Sequence, residues 1–491
     1  MTDLSRRTFL SRASAVAAAS LLPNSDLLAA HAPREVFDVL RFGARGDGRT
    51  NDAKAIQRAI DACAMQGGGI VTLAPGRTFV SGTISLRSHV NLRIEDGATL
   101  KASGDRDDFR ALGSLIFADH ADNVAISGNG KIDGNFHAFL KDRVDGGYRV
   151  VQPFLGPYDP LYGMERRNPP DGRPRMILLV GCKGARLGNF TIFDSPTWTI
   201  HPIGCEDLDI SSITIRNSLE VPNCDGMDID HCRNVRVDNC DIQAGDDCIV
   251  LKTSRNFSKY GPCENIAVSN CVLTSSSAAI KIEPEGPDAI RMAVFSGCTI
   301  SNSNRGIAVF NRDQALIENL IFTDMVITTE LKPAMWWGAG EPVQISNLPR
   351  SPGMTGGIIR DLQFSNLICR GESGIYIHGW ADCLIDRVAF SNVNLALQKT
   401  SKITGGFYDL RPGEVAGGIY RHTIAGVYCE QAQNLALQNV SVDWKGPLPA
   451  YYGPALEARN IQNLLLSNFR GHGAHPGHDP DRIQKNVTVT D

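Results

Sequence analysis

From about residue 185 onward the chain repeats one short pattern. Apolar and polar residues alternate, a turn-forming residue follows, and a second alternating stretch begins, as in ARLGNFTIFDS, DLDISSITIRNS, NVRVDNCDIQAG, NIAVSNCVLTSS and IRDLQFSNLICRG. Alternation with period two puts successive side chains on opposite faces of a strand. The turn residues are Asn189, Ser212, Asn239, Asn270, Gly297, Asp324, Asn366, Asn392, Asn439 and Asn468, spaced by 23, 27, 31, 27, 27, 42, 26, 47 and 29 positions. A unit of that length cannot bury its own apolar face, and stacked units build one continuous core. The pattern therefore predicts an all-β chain, a parallel β-helix with one coil per repeat, over residues 33–491.

Two gaps are longer than a coil. One carries Trp336-Trp337-Gly338-Ala339-Gly340-Glu341-Pro342, the other Tyr408-Asp409-Leu410-Arg411-Pro412-Gly413. Insertions into a repeat become loops on one face, often the binding face. Trp336 and Trp337, beside glycines, are expected to form a platform on which a sugar ring stacks. At the other end, AKAIQRAIDACAMQ has the spacing of an amphipathic helix over residues 52–65, capped by Asn51 or Asp52 and ended by Gly67-Gly68-Gly69. It would cover the open edge of the first coil, where unpaired strand groups invite aggregation.

Residues 1–32 read as a targeting segment. Ser5-Arg6-Arg7-Thr8-Phe9-Leu10 is a twin-arginine pattern, followed by a run of modest hydropathy and small residues at 29–32. That run is too short to span a bilayer, so export with cleavage near residues 29–32 is expected, to the periplasm or beyond. The alternative is a cytosolic N-terminal helix. Lys plus Arg number 49 and Asp plus Glu 53, which leaves no basic footprint for nucleic acid. The thirteen cysteines lack repeated CxxC spacing, so no zinc site is expected; Cys240, Cys271 and Cys298 fall in apolar strand patterns, where buried thiols are common. Export would permit disulfides, whose pairing the spacing leaves open.

The stretch PNCDGMDIDHCRNVRVDNCDIQAGDDCIV, residues 222–250, holds seven aspartates. Met227 and Ile229 share one strand face, Asp228 and Asp230 the other. Asp246 follows Asp225 by 21 residues, about one coil. Strands of neighbouring coils lie about 4.8 Å apart, so Asp225 should stand beside Asp246 and Asp247. Clustered carboxyls cannot all ionise together, and one is held protonated while another stays charged. Glycoside hydrolysis needs such a pair. On chemistry alone three readings stand: an acid–base cluster, a Ca²⁺ site, or a solvated acidic ladder. Asp238 and Asp241 read as solvated, and Asp228 and Asp230 as facing outward along the groove strand.

The chain resembles glycoside hydrolase family 28, the polygalacturonase family of right-handed parallel β-helices. The likeness runs from about Phe37 to at least Asn311 and includes Phe37-Asp38, Phe42-Gly43-Ala44-Arg45-Gly46-Asp47-Gly48, Ser195-Pro196-Thr197-Trp198 with His201-Pro202, Asn223-Cys224-Asp225-Gly226 and Gly245-Asp246-Asp247-Cys248. The resemblance implies inverting hydrolysis of a pectin-type polysaccharide or derived oligosaccharide, without cofactor or metal. Asp246 would be the general acid, and Asp225 and Asp247 would position the attacking water. Asn223 would orient the strand end and its neighbouring carboxylate, and His201 would line the groove or serve the structure. The chain departs from the family where a Gly-His-Gly motif is expected, at Ser276-Ser277-Ala278-Ala279-Ile280-Lys281-Ile282-Glu283. It departs again where Arg-Ile-Lys is expected, at Ala308-Val309-Phe310. Lys281 and Arg312 are candidate replacement cations for gripping substrate, with ordinary surface residues as the alternative. Long loops over the groove would favour attack at chain ends. Two other classes compete: a pectate-lyase-like β-elimination held by calcium, and a non-catalytic sugar-binding β-helix.

Overall fold

The computed structural model describes residues 35–144, 147–150, 172–333 and 336–490. The twin-arginine segment and its expected cleavage region lie outside these residues. Residues 37–491 form one compact unit. Each coil contributes short strands that pair in parallel with their counterparts one coil on, which makes the right-handed parallel β-helix expected. One sheet runs through Ile200–Ile203, Met227–Asp230, Ile249–Ser254, Ala278–Glu285, Arg305–Asn311, Val343–Asn347 and Ile375–His378. A second runs through Glu206–Ser211, Arg233–Asp238, Cys263–Ser269 and Ile290–Ser296. A third runs through Thr191–Phe193, Thr214–Arg216, Asp241–Ala244 and Val272–Ser275.

The core is built in columns, because the register repeats from coil to coil. Met227, Ile249, Ile280, Ile307 and Val343 stack on one another, all fully buried. Phe295, Phe322, Phe364 and Phe390 stack with ring centroids 5.0, 4.8 and 4.6 Å apart. All thirteen cysteines are buried.

The ten turn residues all adopt left-handed backbone, with φ between 52° and 69°. Glycine, asparagine and aspartate enter that region most readily, and nine of the ten turn residues are of these types, Ser212 being the exception. Their side chains also bond along the helix axis. Asn366 Nδ2 donates to Asp324 Oδ1 at 2.8 Å, Asn392 to Asn366 Oδ1 at 3.1 Å, Asn439 to Asn392 Oδ1 at 3.1 Å and Asn468 to Asn439 Oδ1 at 2.8 Å. A second ladder stands at another bend. Asn234 donates to Asp207 Oδ1 at 3.0 Å and Asn265 to Asn234 Oδ1 at 3.2 Å.

The N-terminal helix spans Ala53–Met65 and buries Ala55, Ile56, Ala59, Ile60 and Cys63. The two expected caps divide the work. Asn51 Oδ1 accepts from Ala53 N at 3.0 Å, while the Asp52 carboxylate accepts from Arg45 N and Gly46 N at 2.8 and 2.9 Å and so pins the preceding loop.

The two long insertions meet over the first sheet. Gly338 N donates to Asp409 Oδ2 at 2.8 Å, and Arg411 Nη2 to the Trp336 carbonyl at 3.1 Å. Arg305 and Gln344, on adjacent strands of the sheet beneath, both donate to the Asp409 carbonyl at 2.8 Å. The Tyr408 ring lies 3.8 Å above Tyr376, nearly parallel to it.

Candidate active site

The aspartate-bearing turns close-pack because two glycines allow it. A Cβ at Gly226 would sit 2.4 Å from the Cys248 carbonyl oxygen, and one at Gly245 2.3 Å from that of Val221. Gly226 N donates to the Asp247 carbonyl at 2.8 Å, which locks the Asp225 turn onto the Asp246–Asp247 turn of the next coil. One oxygen from each of Asp225, Asp246 and Asp247 then lies within 4.8 Å of the others.

Each carboxyl has a different surrounding. Asp225 is 4% exposed, and its Oδ1 has no hydrogen-bond partner. Burial first, then the charges of Asp228, Asp246 and Asp247, push it well above the usual carboxylate range. Asp246 is the least buried of the three. Its Oδ2 accepts from Asn223 N at 3.1 Å. Burial and then the charge of Asp247 raise it to about 6, against the pull of Lys281 and the Asn223 amide. Asp247 is 3% exposed; its Oδ1 accepts from Ala278 N at 2.9 Å and its Oδ2 from Lys281 Nζ at 2.9 Å. A carboxyl that leans toward protonation thus stands beside one paired with an ammonium, as proton transfer to a leaving group requires. Three carboxyl oxygens this close could also hold a cation, but Asn223 N, Ala278 N and Lys281 Nζ already engage two of the groups.

Asn223 acts through its backbone. It adopts φ 57°, which aims its N–H at Asp246, and its side-chain oxygen accepts from Arg173 Nη2 at 3.3 Å. Arg173 Nη1 also donates to the carbonyls of Pro196 and Pro222 at 2.7 and 2.8 Å. Arg173 was not singled out in the sequence, where it carries no repeat or motif signal. Lys252 carries no motif signal either, although its parity opposite buried Leu251 marks it as outward. Its Nζ lies 2.9 Å from Glu285, 3.9 Å from Asp228 and 4.9 Å from the Trp198 ring centre. Asp228 is fully buried with no hydrogen bond to either oxygen, and burial, against the pull of Lys252, raises it to about 8. Asp228 and Asp230 do leave the core face, but both are fully buried rather than exposed along a groove. Asp241 pairs at the surface with Arg216.

Several expected substrate contacts lie elsewhere. Arg312 is fully buried and donates to the Ser346 carbonyl at 2.8 Å and to Ser346 Oγ at 2.7 Å. It braces the strand beneath the insertions rather than presenting a charge to a ligand. Trp336 is 6% exposed, which does not fit a stacking platform. Trp337 is half-buried, with the Arg411 guanidinium 5.7 Å above its ring. His201 is fully buried, edge-on to Trp198 and 3.5 Å from Asp230 Oδ2, and burial lowers it to about 4. Lys281 remains at the site but is turned to Asp247 and, at 2.7 Å, to Glu283. Where the family pattern calls for histidine, arginine and lysine, Ala278, Ala308 and Phe310 form a small apolar cluster.

The family model of "Glycosyl hydrolases family 28" matches residues 70–309. A probable polygalacturonase from Vitis vinifera is 29% identical over 294 residues, 55% of this chain and 55% of that protein. An exopolygalacturonase from Zea mays is 24% identical over 224 residues, 45% of this chain and 50% of that protein. The chain spans about half the length of the curated relatives it matches. Among solved structures, an exopolygalacturonase from Thermotoga maritima superposes with TM-score 0.63 at 21% identity, covering 90% of this chain and 93% of that one. The family 28 exopolygalacturonase of Yersinia enterocolitica gives TM-score 0.60 at 19% identity, covering 87% of this chain and 78% of that one. At these identities the structural likeness shows the fold.

Proposed function

We propose, for a chain whose residues 70–309 belong to glycosyl hydrolases family 28, that it hydrolyses glycosidic bonds in a pectin-type polysaccharide or an oligosaccharide derived from it. The observation that carries this is the convergence of Asp225, Asp246 and Asp247 on consecutive coils, one oxygen of each within 4.8 Å. Asp246, the most accessible of the three, gives its proton to the leaving glycosidic oxygen. Asp247, assisted by Asp225, takes a proton from the attacking water. Incubation of the purified protein with pectic fragments, with reducing-end detection and product identification, tests this directly. New reducing ends support it; a chain that releases none contradicts it.

The stereochemistry has two readings. The family likeness favours inversion. The tight carboxyl cluster favours a second, because acid and base in inverting enzymes usually stand roughly 6.5–9.5 Å apart to admit water. In that reading Asp247, the carboxylate paired with Lys281, attacks the anomeric carbon and the configuration is retained. Proton NMR of the first-formed anomer separates the two.

Ala278, Ala308 and Phe310 offer a uronate carboxylate no charge, and the cations beside them, Lys281, Arg305 and Arg312, are buried and turned to protein partners. Unmodified polygalacturonan is therefore expected to be cleaved more slowly than a branched or neutral-sugar-containing pectic substrate. Equal or faster cleavage of polygalacturonan removes this part of the reading. The joined insertions cross the strands that follow the site, and such a wall supports attack at chain ends. For location, the twin-arginine pattern supports export, which a reporter fused behind residues 1–32 tests. Among the described residues no helix is long and apolar enough to cross a membrane.

A further inference from the structure

Lys281 is the outward residue between Ile280 and Ile282, both of which face the core. It is 7% exposed, and its Nζ sits 2.9 Å from Asp247 Oδ2 and 2.7 Å from Glu283 Oε2. Ala278 N, on the same strand, holds the other Asp247 oxygen at 2.9 Å. Both oxygens of one carboxylate are thus fixed by a single strand one coil on. Burying a lysine in this way costs desolvation, and removing one partner of such a pair leaves an uncompensated charge.

We propose that Lys281 is a positioning residue that holds Asp247 as the charged member of the carboxyl trio and so divides base from acid. The inference rests on the acid–base reading given above. Three carboxyls in contact share their protons as a set, and the nearest cation decides which one carries charge. Lys281 touches Asp247 directly, while Asp246 and Asp225 are both pushed toward protonation. Asp228 faces the pair from the preceding coil and Lys252 from the neighbouring strand. Glu283 and Glu285 share the strand of Lys281, and Arg312 and Arg350 face Glu283 from later coils. All of these remain when Lys281 alone is changed.

The direction of the effect follows from the charges. In Lys281→Met, Asp247 loses its cation, so ionising it requires higher pH and the acid limb of kcat/KM moves up. Asp246 loses a charge that draws it down, so the alkaline limb moves up as well. Glu283→Gln frees Lys281 from its competitor and should move both limbs the other way.

The test compares kcat and KM against pH on a mixed pectic oligosaccharide digest. It is paired with carbon NMR titration of the protein carrying ¹³C-labelled aspartate, without substrate, in which Asp247→Asn identifies the Asp247 signal. The expected result is an upward displacement of both limbs by about one pH unit or more in Lys281→Met. The same displacement should appear in the Asp247 titration, with KM nearly unchanged. Lys281→Arg should restore the profile, and Glu283→Gln should move it down. If Lys281→Met does not fold, the Glu283→Gln and Lys281→Arg arms decide. Limbs and NMR titrations that stay in place overturn the proposal. So does a large rise in KM with kcat held, which would make Lys281 a substrate contact. An active Asp246→Asn would instead sink the acid–base reading itself, whereas an inactive Asp246→Asn with an immobile profile sinks only the role of Lys281.

Discussion

Asp246 is where the chemistry and the stability of the protein pull in opposite directions. Asparagine there keeps the shape and removes the transferable proton. One acid–base group contributes about 10²–10⁴-fold, so kcat of Asp246→Asn should fall by that factor while the circular dichroism spectrum is unchanged. Stability should respond to pH. The folded-state value of Asp246 is raised to about 6, so its stabilising contribution is present below its unfolded value and is lost as pH rises through 6. Asp246→Asn is spared that loss. Its melting temperature should exceed that of the natural protein at pH 7.5 and match it near pH 3.5; a constant difference at both would contradict the account. At this scale the sequence was partly legible. Alternation around Met227 and Ile229 placed Asp228 and Asp230 off the core face, and motif spacing brought Asp225 beside Asp246. Parity cannot show which outward residues are roofed by later parts of the chain. Arg312 and Trp336 therefore read as available from the sequence and are buried, while Arg173 and Lys252 carry no motif signal in it.

The coil is stabilised by columns that no single repeat contains. Phe364 lies between Phe322 and Phe390 with centroids 4.8 and 4.6 Å away. Phe364→Ala should cost about 3–5 kcal/mol of stability, read from denaturant unfolding, because stacked neighbours on both sides cannot collapse into the space. A loss below about 1 kcal/mol would show that the stack is incidental. Asn392 combines left-handed backbone with two ladder bonds, to Asn366 and from Asn439. Asn392→Gly keeps the backbone and loses the bonds, whereas Asn392→Ala loses both, so alanine should be the more destabilising. The repeat makes one ladder legible, since all but Ser212 of its turn residues are Asn, Asp or Gly. The second escaped notice because its column also admits Met292 and Arg387, which break the compositional signal although φ is 57° and 49° there.

At the scale of the whole molecule, one face of the helix carries the carboxyls and the joined insertions. Spacing alone located both insertions, because they interrupt the repeat at 42 and 47 residues. Their contact with each other, through Asp409, Gly338, Trp336 and Arg411, depends on pairs some seventy residues apart that no local pattern encodes. A groove walled in this way predicts that digestion of a long polymer releases short products from the start, with little early fall in viscosity. A rapid early fall would mean internal cleavage. The central claim is that the carboxyl trio adds water across a glycosidic bond, and hydrolysis of a pectic oligosaccharide in heavy-oxygen water tests it most directly. The new reducing end should carry the heavy oxygen, no unsaturated product should absorb in the ultraviolet, and Asp246→Asn should form the labelled product about 10²–10⁴-fold more slowly. An unlabelled, unsaturated product, or labelled product formed by Asp246→Asn at a near-native rate, would contradict it.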